Sequence, residues 1–423
     1  MALPLVASLV RSAALGRMAR RLIAPARARL PVPMQARRRL TIALPCHGEQ
    51  AIVARSLTHF RALEHLFAGQ IRVRYVTSAH EAPAADGPHE GRSTRDLLSQ
   101  SLRAEEGDIA LLHAPAGVRS KSDKLNHLLQ GDQVLAPDDA WLVVFDADAR
   151  PPSSLIAEML TTDTAGADLC QTVPIYPVRS ARSAAEVLPW LHSLAHFERN
   201  LLIEAGLGGR TGTRLIRPAM GNGLMIRTGA LHRVGGFPAH NDDVALGYRL
   251  DWVGTPRRIL RVPLVSPEPA APRLLVSQFV RIFRAVYGME RERRAMLPTN
   301  PRPNPARAPH LRLLGSYLAD GAPVLRIAGG LLLCLALAGP APGVAVALLC
   351  GGLLGEALVS LTLLVLRIRL LEDTIAPPRL RDWLLAPFAT LTEAAFRIAI
   401  TATVWVERRR GAPVFAIHEK TPR

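Results

Sequence analysis

Between residue 40 and about residue 267 the chain alternates short apolar runs with amphipathic stretches. The runs 40–45, 71–77, 108–113, 141–145, 169–175 and 224–227 read as strands. Several are continuously apolar, the pattern of strands buried on both faces. Helix signals fall between them: Ser120 caps a stretch running to Leu129 with Gly131 beyond, Pro151 and Pro152 open another that reaches Leu160, and 242–253 forms a third ended by Gly254. Strands alternating with helices predict an α/β domain, its mostly parallel sheet covered by helices on both faces. Ligands then belong at the carboxyl ends of the strands.

Beyond residue 267 the pattern changes. Phe279, Phe283 and Tyr287 stand among Arg281, Arg284 and Arg291, which suits a helix at a lipid headgroup layer, and 298–310 reads as a linker. Residues 327–355 are 29 positions without a charge, interrupted by Gly339-Pro340-Ala341-Pro342-Gly343. Proline removes a donor and clashes with the preceding turn, so the stretch predicts a hairpin of two membrane spans, 322–339 and 343–366. Glu356 inside the second span is expected against a partner or polar cavity, not lipid. A third apolar stretch, 383–406, carries Glu393 and Arg397 at i, i+4 and is basic at both ends, so it spans, re-enters or lies in the interface. Arg367 and Arg369 place the hairpin's open end in the cytosol, with the α/β domain on the same side of the inner (plasma) membrane. The first 39 residues hold nine arginines and no acid, with an apolar start too short to span. An organellar presequence, a surface-lying amphipathic stretch and an over-long gene start all fit; a flexible or membrane-surface segment is expected. Residues 407–423 read as a basic tail.

Composition sharpens this. A hydrophobic fraction of 49% excludes disorder, and the net charge of +17 gathers at membrane-flanking positions. No basic stripe with interleaved aromatics marks the α/β part, so no nucleic-acid partner is expected. Cys46, Cys170, Cys334 and Cys350 have neither paired nor CxxC spacing, which implies no disulfide framework and no zinc site. His192 and His196, with Glu198 nearby, lack an HExxH pattern.

The strand at 141–145 runs straight into Asp146-Ala147-Asp148. Two carboxylates at a strand's carboxyl end suit a hard divalent cation beside a diphosphate; a helix cap with a spare acid is the plainer reading. Asp242 and Asp243 open an amphipathic helix, where acids complement the dipole, and one of them can instead serve as a general base. Gly221-Asn222-Gly223 and Gly235-Gly236-Phe237 permit close approach of backbone to a ligand or simply make turns. Lys121 points at phosphate or is an ordinary surface lysine.

In their order these pieces resemble the inverting, membrane-anchored family 2 glycosyltransferases of GT-A type. Ala43-Leu44-Pro45-Cys46-His47-Gly48-Glu49 is similar to the opening strand-and-loop motif, with Gly48 where the family commonly has Asn. Lys121-Ser122-Asp123-Lys124-Leu125-Asn126 is similar to the lysine-to-Leu-Asn motif, and Trp141 to Asp148 to the metal-binding Asp-x-Asp element. Residues 221–227, then Leu231 and Gly235-Gly236-Phe237, resemble the acceptor-side segment. Asp242-Asp243-Val244-Ala245-Leu246-Gly247-Tyr248-Arg249-Leu250 resembles Glu-Asp-x-x-Leu-x-x-Arg-Leu, with Asp242 in place of Glu. The likeness covers about 40–285, and the C-terminal spans share the general architecture.

The resemblance implies a GT-A-like domain at 40–270, an interfacial helix and linker to 320, and membrane helices from 321 to 406. It implies an NDP-sugar donor, a lipid or glycan acceptor, and Mg or Mn held by Asp146 and Asp148. Donor contacts fall to Glu49, Lys121, Asp146, Gln278 and Arg281, and the general base to Asp243 with Asp242 beside it. Two departures stand out. Residues 75–81 carry no aspartate where the family places one for the nucleotide base. Gln278-Phe279-Val280-Arg281-Ile282 lacks the Trp of the processive Gln-x-x-Arg-Trp motif, so transfer of one sugar is expected, with a processive synthase or a catalytically idle scaffold as the alternatives.

Overall fold

The computed structural model describes residues 2–27, 38–85, 87–102, 108–175, 186–195, 197, 219–239, 242–265, 275–276, 280, 294, 296, 328–337, 339–371 and 378–409. Its strands are β1 (Leu40–Pro45), β2 (Ile71–Ser78), β3 (Ile109–Ala114), β4 (Trp141–Val144), β5 (Leu169–Gln171), β6 (Pro174–Ile175), β7 (Leu224–Arg227), β8 (Arg257–Ile259) and β9 (Leu264–Val265). The helices of the α/β part are α2 (Val53–Leu66), α3 (Thr94–Leu102), α4 (Lys121–Gly131), α5 (Ser153–Thr161), α6 (186–195), α7 (Thr228–Arg233) and α8 (Asp242–Trp252). Before them comes α1 (Ala2–Arg27), and after them α9 (Ala328–Leu337), α10 (Pro342–Leu371), α11 (Leu380–Leu385) and α12 (Ala389–Arg409).

Seven strands make one sheet in the order β3-β2-β1-β4-β7-β5-β8. All of its pairs are parallel except the two that β7 makes with β4 and β5. Since β7 reverses twice against its neighbours, β4 and β5 run the same way and end on one edge. Side chains alternate between two cores. Leu40, Ile42 and Leu44 of β1 join Val53, Leu57 and Phe60 of α2 and Leu155 of α5 on one face. Ala43 of β1 and Leu142 and Val144 of β4 join Leu125 and Leu128 of α4 and Leu246 and Leu250 of α8 on the other. The continuously apolar strands are thus covered on both sides, as a mostly parallel sheet requires.

The apolar run at 169–175 is not one strand. It breaks between β5 and β6, where Thr172 N–H donates to the Gly223 carbonyl at 3.2 Å and Pro174 has no N–H to continue the ladder. β6 pairs instead with β9 in a separate two-stranded sheet.

A third core joins the sheet's far end to the C-terminal helices: Val173, Ile175, Trp190 and Leu194 pack with Val359 and Leu363 of α10. The segments Pro342–Arg369 and Leu380–Thr403 are each long and apolar enough to cross a membrane. The second bends through a tight turn at Ala386–Phe388, where Pro387 sits between α11 and α12. The expected hairpin turn falls at residues 339–340, and Cys334 Sγ reaches the Ala345 carbonyl across it at 3.5 Å. Of the first expected span, 328–337 and 339 lie within the described residues, and almost all of the expected interfacial helix lies outside them.

Residues 2–27, within the segment expected to be flexible or membrane-surface, form the helix α1, which packs along α10. Leu15 and Ala19 are fully buried in the same core as Val359 and Leu363, and Arg11 pairs with Glu356. Burying an apolar stripe is what holds such a helix in place, because isolated helices are marginal in water.

Candidate active site

The carboxyl edge of the sheet gathers three separate elements. β4 is buried along its length, and the chain leaves it through Phe145 into Asp146, whose N–H donates to Asn222 Oδ1 at 3.2 Å. Lys121 is the first residue of α4, fixed there by a reciprocal cap: Ser120 Oγ accepts from Asp123 N–H while Asp123 accepts from Ser120 N–H. Its Nζ donates to Asp146 Oδ1 at 2.7 Å and to the Gly221 carbonyl at 2.9 Å. Both side chains are partly exposed.

Asp243 comes from the first turn of α8. Its Oδ1 accepts from Val244 N–H at 2.8 Å, and its carbonyl accepts from Ala219 N–H at 3.1 Å. A Cβ added to Gly221 would lie 3.2 Å from Lys121 Nζ, 3.4 Å from Asp243 Cβ and 3.5 Å from Asp243 Oδ2. Lys121, Asp146 and Asp243, far apart in the chain, thus converge around one glycine. Among the described residues no group of three or more His, Cys, Asp or Glu side chains could hold a metal by itself. Two carboxylates are nevertheless the donor set of an Mg-type ion that completes its shell with substrate phosphate and water. Asp148 is partly exposed two residues on. Next to it, burial lowers the Arg150 pKa, with Tyr75 and Asp148 pulling the other way.

The supporting contacts explain several motif residues. Asn126 clamps Phe237 with two 2.8 Å bonds, one from its Nδ2 to the Phe237 carbonyl and one to its Oδ1 from Phe237 N–H. Gly236 must be glycine there, with φ +80° and a hypothetical Cβ only 2.5 Å from Asn126 Oδ1. Arg249 donates to the Val234 carbonyl at 3.2 Å, tying α8 to the same loop. Buried Lys124 donates to the Cys46 carbonyl at 2.6 Å. The expected donor residue Glu49 is buried after β1; its N–H donates to Thr94 Oγ1, and its carbonyl receives Ile52 and Val53 at the start of α2. Asp242 begins α8, but its side chain lies outside the described residues, as do Gln278 and Arg281.

Sequence reasoning missed the contacts of the loop after β2, where no aspartate stands. Glu81 Oε1 accepts from Gly48 N–H at 2.9 Å and from Thr94 Oγ1, bracing the two loops that follow β1 and β2. The His47 and His80 rings lie near-parallel there, with centroids 6.2 Å apart. One strand over, burial and then Arg95 hold the His113 pKa below its usual value, and its Nδ1 lies 3.0 Å from Thr77 Oγ1. No local spacing announces contacts between loops this far apart in sequence.

Gly223 carries a sharp stability test. Its φ is +76°, and a Cβ would stand 2.1 Å from Thr172 Cγ2. Thr172 cannot rotate away without losing the bond from its Oγ1 to the Val262 carbonyl at 2.6 Å. Gly223→Ala is expected to cost roughly 1–2 kcal/mol for the left-handed backbone alone, and more for the clash. Thermal unfolding of Gly223→Ala and of Gly223→Ala/Thr172→Ser checks this: the second variant, lacking Cγ2, should regain part of the loss, and equal melting temperatures would contradict the clash.

No protein-family model matches the sequence, and no curated protein matches it. Solved structures do. A mannosyltransferase from Pyrobaculum calidifontis, in complex with GDP-Man and Mn2+, superposes with a TM-score of 0.52 and 17% identity, covering 96% of this chain and 100% of that one. Glucosyl-3-phosphoglycerate synthase from Mycobacterium tuberculosis, in complex with Mn2+, UDP and phosphoglyceric acid, matches at a TM-score of 0.36 and 14% identity, over 65% of this chain and 82% of that one; this overlap is too loose to carry an argument. Identity so low speaks to architecture only. With the sheet order and the two-sided helical cover, the first superposition establishes that the chain has a GT-A-type glycosyltransferase fold.

Proposed function

We propose that the chain is a metal-dependent, inverting glycosyltransferase, anchored in the inner membrane with its α/β domain in the cytoplasm, that moves one sugar from an NDP-sugar to a hydroxyl of a lipid or glycan acceptor. The observation that carries this reading is the meeting of Lys121, Asp146 and Asp243 around Gly221 at the carboxyl edge of the sheet. Asp146 and Asp148 would hold Mg2+ or Mn2+ together with donor phosphate oxygens. Bound there, the ion stabilises the negative charge that grows on the leaving diphosphate. Lys121 adds positive charge on the same side, and Glu49, Gln278 and Arg281 complete the donor surroundings.

Asp243 takes the proton of the acceptor hydroxyl as that oxygen bonds to the anomeric carbon. The bond from that carbon to the diphosphate oxygen breaks, its electron pair leaves with the diphosphate, and attack from the opposite face inverts the centre. The two long apolar segments support anchoring, which would confine enzyme and acceptor to one surface.

The test is a panel of NDP-sugars offered to the purified full-length protein with Mn2+ or Mg2+ and membrane lipid extract. One donor should give a singly glycosylated product. EDTA should abolish transfer and added Mn2+ or Mg2+ restore it, while Asp146→Asn should lower it on the order of 100-fold or more. Transfer that survives both EDTA and Asp146→Asn would sink the metal-assisted mechanism. A polymeric product would instead mark a processive synthase.

A further inference from the structure

α1 packs along α10. Arg11 Nη1 bonds both carboxylate oxygens of Glu356, at 2.9 and 3.2 Å, and the next turns of each helix, Leu15 and Ala19 with Val359 and Leu363, share one core. The ion pair therefore joins two helices separated by 345 residues at mid-length of α10. α10 is one of the two segments apolar enough to span a bilayer, and a lone acid at such a depth needs a partner. Arg11 is that partner. It is also the one charge among residues 2–16, a stretch of about 22 Å at helical rise.

The outward face of α1 is apolar. Val6, Leu9 and Val10 are 54%, 51% and 62% exposed, and α10 likewise exposes Val344, Val346, Leu349 and Leu353. With Arg11 on Glu356, the core shared one and two turns further along each helix indicates that the two run the same way, so the exposed Arg17 and Arg20 fall toward the end of α10 that carries the exposed Arg369. Both helices are thus apolar at one end and basic at the other, the distribution that places acyl chains around the first and anionic headgroups at the second.

We propose that residues 2–16 are inserted in the bilayer beside α10, with Val6, Leu9 and Val10 against lipid acyl chains and Arg11 as the counter-ion of Glu356. The occupant of that exposed face is lipid, not a second protein. The proposal rests on the membrane part of the reading above and is independent of the transfer chemistry.

Two measurements on the full chain test it. First, Val6→Cys, Leu9→Cys and Val10→Cys are placed in a background with Cys46, Cys170, Cys334 and Cys350 replaced by Ala, and open membrane fragments are treated with a membrane-impermeant maleimide. All three should resist labelling until SDS is added. Labelling of all three in intact fragments of a protein that withstands carbonate extraction overturns this proposal alone, whereas release of the whole protein by carbonate overturns it together with the membrane reading. Second, Arg11→Glu and Glu356→Arg should each lower the melting temperature in detergent, and the double exchange should recover most of the loss. A double variant no better than the worse single one overturns the counter-ion assignment.

Discussion

Asp243→Asn is expected to lower transfer by about a thousandfold, within the range that a positioned general base contributes, while the protein folds and binds donor as before. The substitution separates structure from chemistry. Asparagine keeps an Oδ1 that can accept from Val244 N–H at 2.8 Å, and it leaves the bond between Ala219 N–H and the residue-243 carbonyl untouched, so the first turn of α8 persists. What it removes is the negative charge and the ability to take a proton. Donor affinity should hardly change, because the contacts proposed for the diphosphate lie with Lys121 and Asp146. Steady-state kinetics with donor and acceptor varied separately, beside calorimetric donor binding, resolve the two effects: kcat falls and donor Kd stays. A variant retaining a tenth or more of wild-type kcat would remove Asp243 from the role of base and leave it as a helix cap.

The parts of this molecule that could be read along the chain are those determined by local pattern. β1, β4 and β7 agree with the apolar runs to within a residue, because central strands covered on both faces have no polar positions to blur the signal. The short β8 and β9, at three and two residues, are too brief to show any period. The break at 172–174 depends on a hydrogen bond to Gly223, which no window around Thr172 contains. The candidate site divides in the same way. Lys121, Asp146 and Asp243 stood out because each marks the end or start of an element, yet their meeting around Gly221 is a product of the sheet order. Glu81 drew no attention as a brace for Gly48, and the packing of α1 could not be read locally because its partner lies more than three hundred residues away.

His192 belongs to this second kind and leads to the largest stability effect expected of a single change. In the sequence it stood near another histidine and a glutamate. In the fold it is fully buried in α6, with Nδ1 2.5 Å from Glu393 Oε2 of α12, while Arg397 Nε donates to Glu393 Oε1 at 2.7 Å. The i, i+4 spacing of Glu393 and Arg397 made their pairing foreseeable; the link to α6 was not. All three side chains are at most 5% exposed, and the Phe396 ring packs on His192 at 5.1 Å, so solvent screens little of the interaction. Glu393→Leu takes from Arg397 a carboxylate at 2.7 Å while the guanidinium remains buried, and a loss of roughly 3–5 kcal/mol is expected. Replacing both members is a different matter, since apolar side chains of similar volume carry no desolvation cost; Glu393→Leu/Arg397→Met should recover much of the loss. Thermal unfolding of the two variants in detergent decides the point, and limited proteolysis adds whether α12 loosens from the α/β domain, because the same carboxylate connects the two. If Glu393→Leu melts within a degree of the wild type, the Glu393 carboxylate contributes nothing to holding α12 against His192 of α6, and the attachment must come from apolar contacts such as those of Phe396 alone.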